Sequence, residues 1–143
     1  MYNILKESHN GIGMFLLFLL FIIILFLFVK FLFKNPFNKS AKIAALIGLI
    51  TVHLQILVGF ALYFLSPLGI SNFSGESMGH PISRFYIVEH PVGMILAAIL
   101  ITVGYRLSKK TTLSDKAKYA RILIYYTIGF AIIAYLIPWF LWS

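Results

Sequence analysis

The chain has 143 residues, of which 61% are hydrophobic and 11% charged, and a mean hydropathy of +0.95. A soluble domain carries about a quarter charged residues, so this composition excludes an ordinary water-soluble globule and points to an integral membrane protein. Cysteine is absent, which rules out disulfides, iron–sulfur clusters and thiolate chemistry, and the net charge of +8 sits in short loops between apolar runs, a sign of membrane topology and not of nucleic-acid binding.

Four apolar runs follow one another, at about residues 10–29, 43–65, 85–105 and 122–142. A helix crosses a bilayer with about 20 apolar residues, and runs of this length are too long for buried strands. The first is no signal peptide: its apolar core is too long, its flank Lys6-Glu7 is not basic, and no small-residue cleavage site follows. The connections are short and polar. Pro36 marks the first, Ser114 is placed to cap the fourth helix, and the longest, 66–83, is rich in Gly, Ser and Pro. No internal repeat is present. The expected architecture is all-α, a single up-and-down bundle of four transmembrane helices.

Charge sets the expected orientation. Lys30, Lys34, Lys39 and Lys42 flank the first connection, and Arg106, Lys109, Lys110, Lys116, Lys118 and Arg121 the third. The positive-inside rule puts both in the cytoplasm, so both termini and the long loop face outward, in a bacterial inner membrane. Trp139 and Trp142 then fit an outer aromatic belt.

Four histidines remain to be placed. His9 stands just before the first run and His90 about five residues into the third, at the same outer depth. His53 lies near the midplane of the second helix and His80 in the outer loop. Ionisable residues within a membrane are costly and mark function by default, and paired histidines on facing helices commonly hold a metal or a heme. The neighbours suit a flat macrocycle. Gly13 lies one turn below His9, Gly93 and Ala97 follow His90 on one face, and Gly59 of the second helix sits at the same depth. Met94, Phe60, Tyr63 and Tyr86 are edge candidates, and Arg84 stands above His90 where a propionate emerges. Glu7 and Glu89 are candidates to orient the imidazoles. The competing readings are structural: glycines as helix-packing residues, Arg84 as a snorkelling side chain, and His53 and Gln55 as interhelical hydrogen-bond glue.

The order of these features resembles one half of heme A synthase, and also small bacterial membrane proteins of the cytochrome b-like kind. The resemblance covers about residues 7–105 and rests on His9, the run Leu54-Gln55-Ile56-Leu57-Val58-Gly59, and His90. It implies His9 and His90 as axial ligands of a heme b, with Gln55 and Gly59 in the pocket. The chain departs from that family in having one bundle instead of two, Glu7 two residues before His9 instead of three, Asn10 after it where Arg is common, and no cysteine pair. Heme A synthesis by this chain alone is therefore not expected. The expected role is electron transfer in a respiratory or quinol-linked assembly, as a possible homo-oligomer in the lipid bilayer. The alternative is a heme-free structural or accessory subunit of a larger membrane complex. A lipid- or quinone-modifying enzyme built on His53 and Gln55 has no nucleophile or paired carboxylate to support it.

Overall fold

A computed structural model describes residues 1–141. Four of its helices are long and apolar enough to cross a membrane. α1 spans Tyr2–Leu32 and α2 spans Lys39–Leu65. The connection between α2 and the third span holds a 3-10 turn, Ile70–Asn72, and the short helix α3, Gly75–Gly79. The third span, Pro81–Ser108, consists of α4 (Pro81–Arg84), a π turn (Phe85–Glu89) and α5 (His90–Ser108). The fourth begins with α6 (Asp115–Tyr135) and ends in a 3-10 turn, Trp139–Leu141.

The helices do not stop where the apolar runs do. α1 has 31 residues, about 46 Å at the usual helical rise, against a hydrocarbon core of about 30 Å. A helix keeps satisfying its own backbone in the polar boundary, so α1 starts eight residues before the run at 10–29. This corrects the placement of His9, which lies inside the first helix and not in front of it. The last helix departs in the other direction. Pro138 lacks an N–H and cannot continue the ladder, so α6 ends at Tyr135 instead of running through to 142. Trp142, expected in the aromatic belt, lies outside the described residues.

Local chemistry explains the other ends. Lys34 adopts a positive φ of 54°, the Asn35 N–H donates to the Lys30 carbonyl at 3.0 Å, and Pro36 follows, which together stop α1. Ser114 caps α6 by accepting from the Ala117 N–H, as the sequence predicts, and Asn38 caps α2 by accepting from the Ala41 N–H. In α3 the Ser74 and Ser77 side chains cap each other's backbone N–H groups, a two-serine capping box.

Each long helix packs chiefly on its two neighbours, in the ring α1–α2–α5–α6. α1 and α5, which carry His9 and His90, therefore stand diagonally across the bundle. The core is continuous, from Leu16, Leu20 and Leu27 of α1 through Ala45 and Val52 of α2 to Ile101 of α5 and Ile122 and Tyr126 of α6. Its most closely packed seam is α5 on α6. A Cβ added at Gly93 would meet Leu136 Cδ1, one at Gly104 would stand 2.6 Å from Tyr125 Cβ, and one at Gly129 would stand 2.8 Å from Ile101 Cγ1 and 3.3 Å from the Ala97 carbonyl. Small residues here let two helix backbones approach, the ordinary use of glycine in membrane bundles. Gly93 and Ala97 are thus part of a helix seam. The expectation that they wall a slot beneath His90 is corrected by this packing, because their face is already occupied by α6.

Candidate functional site

One face of α1 reads Tyr2, Lys6, His9, Gly13 and Leu16, at alternating spacings of four and three. This face lines a mostly apolar cavity of about 360 Å³ at the end of the bundle that carries Met1 and the long loop. That volume lies within the range of small-molecule and cofactor sites. α2 contributes Gln55, Gly59 and Tyr63, the third span Tyr86, His90 and Met94, and the end of the fourth span Ile133 and Ile137.

His9 and His90 both line this cavity, and their rings lie edge-to-face with centroids 6.0 Å apart and planes at 76°. Two imidazoles on opposite sides of one metal, with metal–nitrogen bonds of about 2 Å, put their ring centroids about 6 Å apart. His90 has a defined tautomer. Its Nδ1 lies 2.8 Å from the Leu136 carbonyl, and a carbonyl only accepts, so Nδ1 carries the hydrogen and in the neutral ring Nε2 presents its lone pair. A ring oriented through one nitrogen with the other left to bind is the usual state of a metal-ligating histidine. The Leu136 carbonyl is free for this because it is the residue that caps the α6 terminus. Pro138 separately denies a donor to the Ala134 carbonyl, which takes the Trp139 indole N–H at 2.7 Å instead.

His9 is held differently. Gln55 Nε2 donates to the His9 backbone carbonyl at 2.7 Å. The ring lies over Gly59, where an added Cβ would stand 3.1 Å from His9 Cε1. Gly13 makes the same kind of room for Gln55, its Cβ position being 2.8 Å from Gln55 Nε2. Among the described residues, two buried side-chain polar atoms have no hydrogen-bond partner: His9 Nδ1 and Gln55 Oε1. Both belong to cavity residues. A buried polar atom without a partner costs about 1–3 kcal/mol, so the bundle concentrates its unmet polarity at this one place.

The remaining candidates fall elsewhere. Arg84 does not line the cavity. It is exposed, and its Nε donates to Glu89 Oε1 at 2.8 Å across the π turn. Its side chain is thus turned to Glu89 and not to the cavity, and among the described residues the cationic side chain that lines the cavity is Lys6. Gly93 is likewise absent from the lining, for the packing reason given above. Met94, Phe60, Tyr63 and Tyr86 do line it. Glu7 is exposed. His53 is exposed on α2, with Nδ1 donating to the Leu49 carbonyl at 2.8 Å and Nε2 3.3 Å from Thr102 Oγ1 of α5. His80 is exposed in the long connection. Among the described residues no group of three or more His, Cys, Asp or Glu side chains could hold a bare metal ion. Lys6 and Tyr2 are not ligand-type residues and so carry no signal by type, although their spacing from His9 announces the shared face. The Leu136 carbonyl is a backbone group, and its only sequence signal is the helix-stopping Pro138.

No family model, curated protein or solved structure compared with the chain matches it.

Proposed function

We propose that the chain is a membrane heme b protein, with His9 and His90 as axial ligands, serving electron transfer in a respiratory or quinol-linked assembly of a bacterial inner membrane. The observation that carries this reading is the pair of imidazoles, centroids 6.0 Å apart, brought to one apolar cavity from diagonally opposed helices. Two histidines alone hold a bare ion weakly, whereas a porphyrin brings four nitrogens of its own and needs only two axial ligands. Heme held by His9 and His90 would supply one-electron redox chemistry, which suits electron transfer. The chain's own part is to bind, orient and keep dry. The Leu136 carbonyl fixes the His90 tautomer, Gly59 makes room for the His9 ring, and Met94, Phe60 and Ile133 exclude water. Lys6, at the N-terminal end of α1, is the cation available to a propionate.

The basic residues flanking the 33–38 and 109–114 connections lie at the other end of the bundle. The positive-inside rule therefore turns the histidine end outward. The deciding measurement is the visible spectrum of detergent-purified protein. A Soret band lost in both His9→Ala and His90→Ala is the expected result, and a band indifferent to both substitutions would sink the proposal.

A second reading, a cofactor-free structural or accessory subunit of a larger membrane complex, has an observation of its own. Edge-to-face rings at 6.0 Å also fit ordinary aromatic packing, which runs to about 7 Å. In addition α1 turns a row of large apolar residues outward, including Phe15, Phe18, Ile22 and Leu25, which suits a partner helix as well as it suits lipid. Protein purified with a defined partner complex and no Soret band would favour this reading.

A further inference from the structure

Gln55, Gly59 and Tyr63 stand one turn apart on a single face of α2, and each meets the histidine pair in its own way. Gln55 holds the His9 backbone carbonyl, and Gly59 receives the His9 ring. The Tyr63 hydroxyl donates to the Ile87 carbonyl at 3.0 Å. Ile87 lies within the π turn that runs directly into His90. Pro91 has no N–H, so the carbonyl four residues before it lacks its α-helical donor; that carbonyl is Ile87's. The turn itself is wound as a π turn, with the His90 N–H on the Phe85 carbonyl, five residues back. Tyr63 then ties the turn to α2 through this carbonyl, whose α-helical donor position is Pro91. Gly69 is packed against this anchor so closely that an added Cβ would collide with the Tyr63 carbonyl oxygen.

We propose that Tyr63 is a positioning residue for His90, and that α2 sets the gap between the two rings by holding His9 at one point and the π turn at another. This rests on the reading of His9 and His90 as a ligand pair. α5 is pinned to α6 by Gly93 against Leu136, and His90 Nδ1 is pinned to the Leu136 carbonyl. α1 is pinned to α2. Without Tyr63, the α2 side of the cavity has no hydrogen bond to the turn that carries His90. The ring gap would then follow the looser packing of α2 on α5.

The test is Tyr63→Phe, which removes one hydroxyl and keeps the ring. Its control is Tyr119→Phe, which removes the same kind of bond, hydroxyl to the Pro36 carbonyl at 3.0 Å, from the opposite end of the bundle. The first readout is the nitrogen magnetic-resonance spectrum of ring-labelled histidines in detergent, with His90 assigned by His90→Ala. It needs no cofactor. Tyr63→Phe is expected to shift or broaden the His90 ring signals, while Tyr119→Phe lowers thermal stability and leaves them unchanged. The second readout is carbon monoxide uptake by the reduced, heme-loaded protein. Tyr63→Phe should raise the reactive fraction about fivefold, the factor for one net hydrogen bond. Ring signals unmoved in Tyr63→Phe, or moved equally by both variants, overturn the proposal, as does unchanged uptake in loaded protein. If the wild type takes up no heme, the heme reading fails, and the ring signals still decide the role of Tyr63.

Discussion

The two ends of this bundle use the same residue types for opposite purposes. At the end carrying Lys30 and Tyr119, every feature closes a gap. Lys30 is buried, and its Nζ donates to Asn38 Oδ1 at 2.9 Å and Ser40 Oγ at 2.8 Å, while Ser40 itself donates to Asn38. Tyr119 and Tyr126 are almost wholly buried, with their hydroxyls on the Pro36 and Ala45 carbonyls. At the histidine end Gly13 and Gly59 face side chains that border open space, and among the described residues two buried polar atoms stay unpaired. Glycine therefore does not announce a pocket. It announces a close approach, and what approaches decides the outcome: a helix at Gly129, an imidazole at Gly59.

The sharpest way to break this comparison is to put the same side chain at both glycines. Gly129→Val forces two methyl groups against Ile101 and the Ala97 carbonyl. Overpacking of this kind costs about 1–3 kcal/mol, so thermal unfolding in detergent should fall by that amount with any heme spectrum unchanged. Gly59→Val pushes on His9 Cε1 from 3.1 Å and fills cavity space. Heme affinity should drop about tenfold or more, while stability changes by less than at Gly129, since the cavity side has room to give. If both variants lost stability and spectrum together, the two ends would not be separable.

Tyr126→Phe is the milder probe of the closed end. It removes a hydroxyl that donates to the Ala45 carbonyl at 2.6 Å in a fully buried setting. The expected loss is about 1 kcal/mol, read as a lower unfolding midpoint with no spectral change. An altered Soret band would mean that the core transmits strain to the histidine end.

Much of the fold was legible because the bilayer makes it so. Lipid admits only self-satisfied helices at this length, so four apolar runs give four helices, and the diagonal placement of His9 and His90 follows from an up-and-down chain. Two kinds of information were not. Helix ends depend on backbone hydrogen bonding, which residue hydropathy does not report, so His9 moved from before a helix to inside one. The direction a small residue faces depends on which neighbour packs against it. The sequence puts Gly93 three residues after His90, but only the position of α6 shows that Leu136 fills its face. The π turn compounds this, since one added residue rotates everything before it by about 100° relative to everything after.

Arg84 is where that rotation has its clearest consequence, and where the smallest effect is expected. From spacing alone it stands one to two turns above His90, in reach of a propionate. In the structure the π turn carries it round to Glu89, and both side chains are nearly half exposed. Exposed ion pairs contribute about 0.2–1 kcal/mol and are weakened by salt. Arg84→Ala should therefore shift the unfolding midpoint by little, the shift should shrink further at high ionic strength, and heme affinity should stay at the wild-type value. Lys6→Ala is the contrasting variant, because Lys6 lines the cavity and Arg84 does not; removing it should weaken heme retention with little change in the unfolding midpoint. If the two results were exchanged, with Arg84→Ala shedding heme and Lys6→Ala silent, Arg84 would have to leave Glu89 when the cavity fills. The π turn would then be a hinge instead of a fixed register.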